Sequence, residues 1–326
     1  MFDLEPERVT AWIKSNGYSK VAVQLPEGLK VRSSEISDTL RSAGAIPILI
    51  GRPCYGACDY YDGYGEFADA LIHYGHSAIP SMGEDPNVLF VEARAEVGAD
   101  ALRNHLDGLP SKIGVLASVQ YIGLIDAVTE ILEESERTAF VSPGDSRIKY
   151  PGQVLGCNCS AAENIRDCVD AFLFLGEGDF HPLAAAFGTD IPLFVYNPVT
   201  GSMRSVENTR ERILRKRFAS ITIASEAESF TVIVCSKKGQ KRIAEAERIS
   251  ALLEKAGKKV YTVVLEEITP EALSHYRTDA FVNTACPRIS MDESSRFVKP
   301  ILTVTEAEIV AGIRKWEDYE FDSIRN

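Results

Sequence analysis

Apolar residues in this chain come in short, almost unbroken runs, set between longer stretches where they recur every three or four positions. The runs include Lys20-Val-Ala-Val-Gln24, Ile46–Ile50, Lys112-Ile-Gly-Val-Leu-Ala117, Asp170-Ala-Phe-Leu-Phe-Leu175, Phe230–Cys235 and Val260–Leu265. Continuous apolarity is the mark of a strand buried on both faces, as in a parallel sheet covered by helices. The wider spacing predicts helices over about 6–15, 29–43, 120–134, 161–168, 205–218 and 241–255, and another from Pro182. Gly17, Gly44 and Gly257 stand just past three of these, where a left-handed residue ends a helix. Further strands are expected at 69–73, 88–91, 139–141, 191–196, 279–282 and 301–304, with the short apolar stretch Val154-Leu-Gly-Cys157 between a Pro/Gly-rich loop and the helix at 161.

Strands alternating with helices predict α/β units, and the pattern divides into three: 1–108, 109–220 and 221–326. A faint repeat supports three copies. The openings Lys20-Val-Ala-Val, Lys112-Ile-Gly-Val and Phe230-Thr-Val-Ile-Val are alike, as are Asp69-Ala-Leu-Ile, Asp170-Ala-Phe-Leu and Asp279-Ala-Phe-Val. The expected fold is three similar Rossmann-like α/β domains with mainly parallel sheets. Each is long enough to bury its own core.

A net charge of −12 and a pI near 5.0 argue against non-specific nucleic-acid binding, which needs a basic surface. No run approaches the roughly 18 apolar residues of a membrane span. The opening residues Met1–Arg8 are acidic and lack the apolar core of a secretory signal, so a cytoplasmic protein is expected. Disulfides are rare in that compartment, so seven cysteines invite a metal or redox reading.

Cys235, inside an apolar strand, and Cys168, at a helix end, are expected to be core residues. Cys54, Cys58, Cys157, Cys159 and Cys286 have Gly, Pro and Asn neighbours and fall in loops, where function concentrates. Three readings compete. Cys54, Cys58, Cys157 and Cys159 could form a tetrathiolate zinc site, although Cys157-x-Cys159 is tighter than the usual pair. One cysteine could be a nucleophile, but that needs a positioned base, and His73, His76, His105, His181 and His275 show no signature. Cys58, Cys157 and Cys286 could hold an iron–sulfur cluster with one iron left open, since full ligation normally takes four cysteines. Spacing alone does not choose among them. Cys58 and Cys157 precede the Asp-Ala strand of their units whereas Cys286 follows it, so the three would meet from non-equivalent loops.

The set Tyr55-Gly-Ala-Cys58-Asp59, Leu155-Gly-Cys157 and Cys286-Pro-Arg288-Ile-Ser290 closely resembles the archaeal form of the diphthamide-synthesis enzymes, the 2-(3-amino-3-carboxypropyl)histidine synthases. The resemblance covers essentially the whole chain. It implies a [4Fe-4S] cluster at the centre of the molecule, held by Cys58, Cys157 and Cys286. It implies transfer of the 3-amino-3-carboxypropyl group of S-adenosylmethionine to a histidine of translation elongation factor 2, by a radical route and with an electron donor. A homodimer is implied as well. The rival reading is a non-catalytic, zinc-stabilised binding protein. Gln24, Pro26, Glu27 and Gly28, after the first strand, are candidates to contact the adenosine or methionine group. Gly176, Glu177 and Gly178 are candidates to bind a carboxylate through backbone N–H groups. Arg288 is the candidate to pair with the substrate's carboxylate or to tune the charge of the cluster. His181 is expected at the surface or as a helix cap. The basic run Arg210–Arg217 reads as a solvated helix face, with docking of the elongation factor or a second subunit as its minor alternative.

Overall fold

The computed structural model describes residues 2–325; Met1 and Asn326, the ends of the first and third expected units, lie outside the described residues. Among the described residues, thirteen strands form three separate sheets. The first holds β1 (Lys20–Gln24), β2 (Ile46–Ile50), β3 (Ala70–Tyr74) and β4 (Val88–Val91) in the order β2-β1-β3-β4. The second holds β5 (Lys112–Ala117), β6 (Thr138–Phe140), β7 (Ala171–Leu175), β8 (Leu193–Asn197) and β9 (Ser202–Ser205) in the order β6-β5-β7-β8-β9. The third holds β10 (Ser229–Cys235), β11 (Lys259–Leu265), β12 (Ala280–Asn283) and β13 (Ile301–Leu302) in the order β11-β10-β12-β13. Every pairing is parallel except β8 with β9.

The common order explains the repeat. In each unit the opening run is a central strand, flanked by the second strand on one side and the third on the other. Central strands are buried on both faces: Val21, Ala22 and Val23 are inaccessible to solvent, as are Phe172 to Leu175. The recurring Asp before each third strand has a mechanical role. Asp69 Oδ2 accepts hydrogen bonds from the Ser19 and Lys20 N–H groups and from Ser19 Oγ, all at 2.8 Å. Asp279 does the same for Glu228 and Ser229, and Asp170 for the Lys112 N–H. Each carboxylate thus ties its own strand to the start of the central one.

Ten α-helices among the described residues cover the sheets: α1 (Pro6–Asn16), α2 (Ser33–Ser42), α3 (Ile125–Glu134), α4 (Ser160–Glu163), α5 (Phe180–Thr189), α6 (Glu207–Ser225), α7 (Ile243–Lys255), α8 (Pro270–Leu273), α9 (Pro287–Met291) and α10 (Val304–Val310). Gly17 closes α1 at φ 67°, its N–H bonded to the Ile13 carbonyl. The helices expected at 29–43 and 120–134 begin as tighter 3₁₀ turns, Glu27–Arg32 and Val119–Leu124. Both leave a strand abruptly, and a first turn without upstream partners tightens readily. Cys168 is a correction: helicity breaks after α4 into the turn Arg166–Cys168, which leaves the side chain exposed rather than in the core. Cys235 is buried as expected. Among the described residues no helix is long and apolar enough to cross a membrane.

Helix α6 runs to Ser225, past its expected end at 218. Its Ile213 packs in the second core and its Ile221 in the third, so position 220 falls inside a shared helix. Arg217, on the same helix, is wholly buried. It donates to Glu306 Oε1 (2.7 Å), to the Ser290 carbonyl (2.7 Å) and to the Ile301 carbonyl (2.8 Å). Glu306 in turn accepts from the Thr303 N–H, closing a capping box at the start of α10.

Replacing Arg217 by Ala strands a buried carboxylate. It is expected to cost about 3–5 kcal/mol, read as a lower urea midpoint. Hydrogen-bond donors hold the Asp69 and Asp279 carboxyls below their ordinary value. A lowered carboxyl stabilises the fold above its unfolded value, and the contribution is lost as pH falls through the folded one. Unfolding midpoints should therefore drop as pH is taken below about 3.9, and the Asp69→Asn variant should show a shallower drop.

Candidate active site

The three sheets aim the carboxyl ends of their strands at one cavity of about 460 Å³. Such ends are where open α/β sheets bind ligands. Pro26 and Gly28 line it after β1, Gly75 and His76 after β3, and Val119 and Gln120 after β5. Cys58, Cys157 and Cys286 line it together.

Each cysteine is presented by a different local device. Cys58 sits in the 3₁₀ turn Ala57–Asp59 that follows β2. Cys157 sits at the tip of a two-residue hairpin in which Leu155 and Asn158 exchange backbone hydrogen bonds of 2.9 and 3.2 Å. The short apolar stretch Val154–Cys157 leads into this hairpin, with the Val154 N–H bonded to the Ala117 carbonyl at the end of β5. Asn158 fixes the turn, donating to Asp145 Oδ2 (2.8 Å) and to the Ile324 carbonyl (2.9 Å), while the Ile324 N–H donates to the Cys157 carbonyl (2.8 Å). Cys286 precedes α9, held by Asn283, whose Nδ2 donates to the Cys286 carbonyl at 2.8 Å. The loops are non-equivalent, as expected.

The third unit presses closely on Cys58. A Cβ on Gly239 would lie 2.5 Å from the Cys58 Cα, so only glycine fits there. The neighbouring Gln240 Nε2 donates to Cys58 Sγ at 3.3 Å. Asp59 is buried between Lys237 Nζ (3.1 Å) and Arg52 Nη2 (2.9 Å). Gly156 serves Phe180 in the same way, since a Cβ there would lie 2.1 Å from the ring.

Removal from water pushes the Cys58 thiol up to about 12, with the nearby Cys157 adding to the effect. Burial raises Cys157 against the opposing pull of Arg147, and burial beside the other two thiols raises Cys286. Two buried guanidinium groups stand beside these sulfurs. Among the described residues, Arg147 Nε has no hydrogen-bond partner, nor do Arg288 Nε and Nη1, while Arg288 also pairs with Asp292 and lies 4.9 Å over the Phe180 ring. Buried cations with free donors beside three thiols suit an anionic group. Among the described residues, the one trio of His, Cys, Asp or Glu ligand atoms within 4.8 Å of one another is Cys54, His73 and His76, not the three cavity cysteines. A single zinc ion draws its thiolates to within about 4 Å of each other, given Zn–S bonds near 2.3 Å. The wider set fits a larger polynuclear group, and the residues present are those that a cluster with three thiolate ligands needs.

The four-cysteine arrangement does not form. Cys159 lies in the core of the second unit, bonded to Glu163 at 3.5 Å, and Cys54 sits beside His73. Of the other candidates, Gly28 lines the cavity and Arg288 borders the cysteines. Gln24 is turned inward as a brace, its Nε2 bonded to the Asp59 carbonyl (2.8 Å) and its Oε1 to the Tyr61 N–H (2.9 Å). Glu27 is exposed and pairs with Lys30 at 2.5 Å. The structure does not bring Gly176, Glu177 or Gly178 to the cavity. Glu177 accepts from the Tyr121 hydroxyl and the Gly178 carbonyl from Arg204. His181 lines the cavity rather than the surface, and its desolvation holds it down to about 3. His76 is the residue that sequence reasoning did not single out. Its only signal was its place two residues past the end of β3.

The family model described as putative diphthamide synthesis protein matches residues 25–321. A curated protein of Pyrococcus horikoshii, 2-(3-amino-3-carboxypropyl)histidine synthase, is 37% identical over 99% of this chain and 94% of its own length. Subunit 1 of the synthase of Debaryomyces hansenii is 30% identical over 95% of this chain and 76% of its own length. Among solved structures, Dph2 from Pyrococcus horikoshii with a 4Fe-4S cluster matches with a TM-score of 0.91 at 36% identity, covering 100% of this chain and 95% of that one.

The Gly239 contact yields a specific expectation. Gly239→Ala pushes the third unit off the Cys58 turn. Overpacking of this kind costs about 1–3 kcal/mol, visible as a lower thermal midpoint. Iron bound per chain after anaerobic reconstitution should fall with it, while far-ultraviolet circular dichroism stays unchanged.

Proposed function

This chain belongs to the family described as putative diphthamide synthesis proteins, and on that premise we propose that it transfers the 3-amino-3-carboxypropyl group of S-adenosylmethionine to a histidine of translation elongation factor 2. That reaction is the first step of diphthamide biosynthesis. The observation that carries the reading is the convergence of Cys58, Cys157 and Cys286, one from each sheet, on a single cavity beside unpartnered guanidinium donors.

In this reading the three thiolates hold a [4Fe-4S] cluster and leave one iron free of protein ligands. When bound, the cluster supplies one electron to the sulfonium of S-adenosylmethionine, and the bond from sulfur to the methionine Cγ breaks to give a 3-amino-3-carboxypropyl radical and methylthioadenosine. The protein's part is placement. The cavity lies within the volume range of about 300–1,000 Å³ typical of small-molecule sites. Gly28 lets the backbone after β1 approach the ligand, and the free donors of Arg288 take the carboxylate of its methionine half. Which carbon–sulfur bond breaks then follows from which carbon is held nearest the open iron, a positioning effect. Arg147 and Arg288 offset the negative charge of three thiolates. Residues 1–108, 109–220 and 221–326 are the domains of this reading, the cytoplasm its compartment, and a second copy and an external electron donor its partners.

Anaerobically purified protein should carry about four irons and four acid-labile sulfides per chain. It should release methylthioadenosine from S-adenosylmethionine when reduced and add the aminocarboxypropyl group to elongation factor 2. Replacing Cys58, Cys157 or Cys286 by Ala should abolish iron binding, whereas Cys235→Ala should keep it. Stoichiometric zinc without sulfide after anaerobic reconstitution would sink the reading.

A further inference from the structure

A chain of hydrogen bonds runs from the Cys58 loop to the cavity and fixes the protonation of each ring along it. Gln24 has an assigned orientation, because its Nε2 meets a carbonyl acceptor, Asp59, and its Oε1 meets a backbone donor, the Tyr61 N–H. His73 Nδ1, 3.1 Å from Gln24 Oε1, can therefore only donate. The His73 ring is neutral, since burial holds it well below its ordinary value, so its Nε2 carries a lone pair. That nitrogen lies 2.9 Å from His76 Nδ1, which must be the donor. Cys54 Sγ, 3.9 Å from the same His73 nitrogen, is at most a weaker second donor to it. The Tyr74 carbonyl also accepts from the His76 ring, and with Nδ1 as the protonated nitrogen facing His73, Nε2 carries the lone pair, on a ring that lines the cavity. A base oriented by a second group, itself oriented by a third, is the logic of catalytic triads. His181 lines the same cavity, but no hydrogen bond among the described residues fixes its ring, which stacks against Phe174 with centroids 6.4 Å apart.

Resting on the transfer reaction above, we propose that His76 is the general base that takes the proton from the substrate imidazole, with Gln24 and His73 as positioning residues. The aminocarboxypropyl radical forms a carbon–carbon bond to C2 of the substrate histidine, and the adduct still carries the original hydrogen there. Restoring the aromatic ring breaks that C2–H bond. Its proton goes to His76 Nε2, and the unpaired electron leaves to a one-electron acceptor of the iron–sulfur class. Desolvation holds His76 down to about 4, so the ring is neutral at pH 7. A weak base suffices, because an sp³ C–H on an oxidised imidazole is strongly acidic, and a neutral base does not repel an incoming sulfonium.

The test compares holoenzymes of the wild type, His76→Gln, His76→Ala and the remote control His105→Gln. Iron content and visible absorbance serve as the check on folding. Loss of a general base costs about 10²–10⁴ in rate. Transfer to elongation factor 2 should fall by that range in both His76 variants, with more methylthioadenosine released per group transferred. A primary isotope effect should emerge with substrate deuterated at imidazole C2, because proton removal becomes rate-limiting. Added imidazole should restore part of the transfer in His76→Ala. Wild-type transfer in the variants would overturn the assignment. So would parallel loss of iron, methylthioadenosine release and transfer without an isotope effect or imidazole rescue, which would make His76 structural. Zinc in the wild type that is lost in both Cys54→Ala and His76→Ala would show the trio to be a metal site instead. A wild type that neither cleaves S-adenosylmethionine nor modifies the factor would refute the underlying reaction, a result separable from all of these.

Discussion

Asp59 follows Cys58 directly and is buried between Arg52 of its own unit and Lys237 of the third. A carboxylate held out of water depends on its partners, and stripping one away leaves an uncompensated charge worth several kcal/mol. The pairing therefore fixes a distance as well as a charge: the Cys58 turn and the third unit cannot drift apart without exposing that cost. The other boundaries are built alike. Glu92, at the end of the first sheet, accepts from Lys149 Nζ (2.8 Å) and the Tyr150 hydroxyl (2.7 Å) of the second unit. Arg147 of the second unit reaches the Gly239 carbonyl of the third at 3.2 Å. Apolar surfaces can slide by fractions of an ångström at little cost, whereas directional bonds between buried charges do not. Three thiols that must meet from three sheets require the second kind of contact.

Charge around the cavity is divided. Its walls are mostly apolar; Arg147 and Arg288 stand behind them beside the sulfurs, Arg32 lines the wall and is paired with Glu35, and His76 and His181 are kept neutral by desolvation. Unpaired guanidinium donors are thus found beside the three cysteines, whereas the cation in the wall is already matched by a carboxylate. A site excluded from water in this way strengthens each electrostatic contact inside it and limits side reactions of a radical.

Much of this was legible in the sequence, because parallel strands buried on both faces write themselves as apolar runs. β1, β2, β4 and β5 fall where the pattern puts them. The Asp-Ala repeat was visible, and its cause, a carboxylate tying two strands together, became clear only from Asp69 and Asp279 in place. The elements that escaped are those that tertiary contacts define. β9 is a polar antiparallel edge, and α10 is a short helix set by the Thr303–Glu306 box and the buried Arg217. Within the site, the cysteines announced themselves by composition and context. Gln24 did not reveal that it faces inward, since a polar residue at a strand end reads equally as ligand contact or brace. His76 carried only its place after a strand, because its hydrogen-bonded setting depends on two neighbours, one 52 residues earlier and one three residues earlier.

The hairpin that presents Cys157 is closed from outside by Ile324, whose backbone accepts from Asn158 and donates to the Cys157 carbonyl. During synthesis the first two units emerge and begin to fold well before that segment exists. The nascent chain therefore holds Cys58 and Cys157 in loops whose final braces are still on the ribosome. Closure of the Cys157 hairpin thus waits for the segment around Ile324 to be made, and a product cut short before it lacks that brace by the order in which its parts are made.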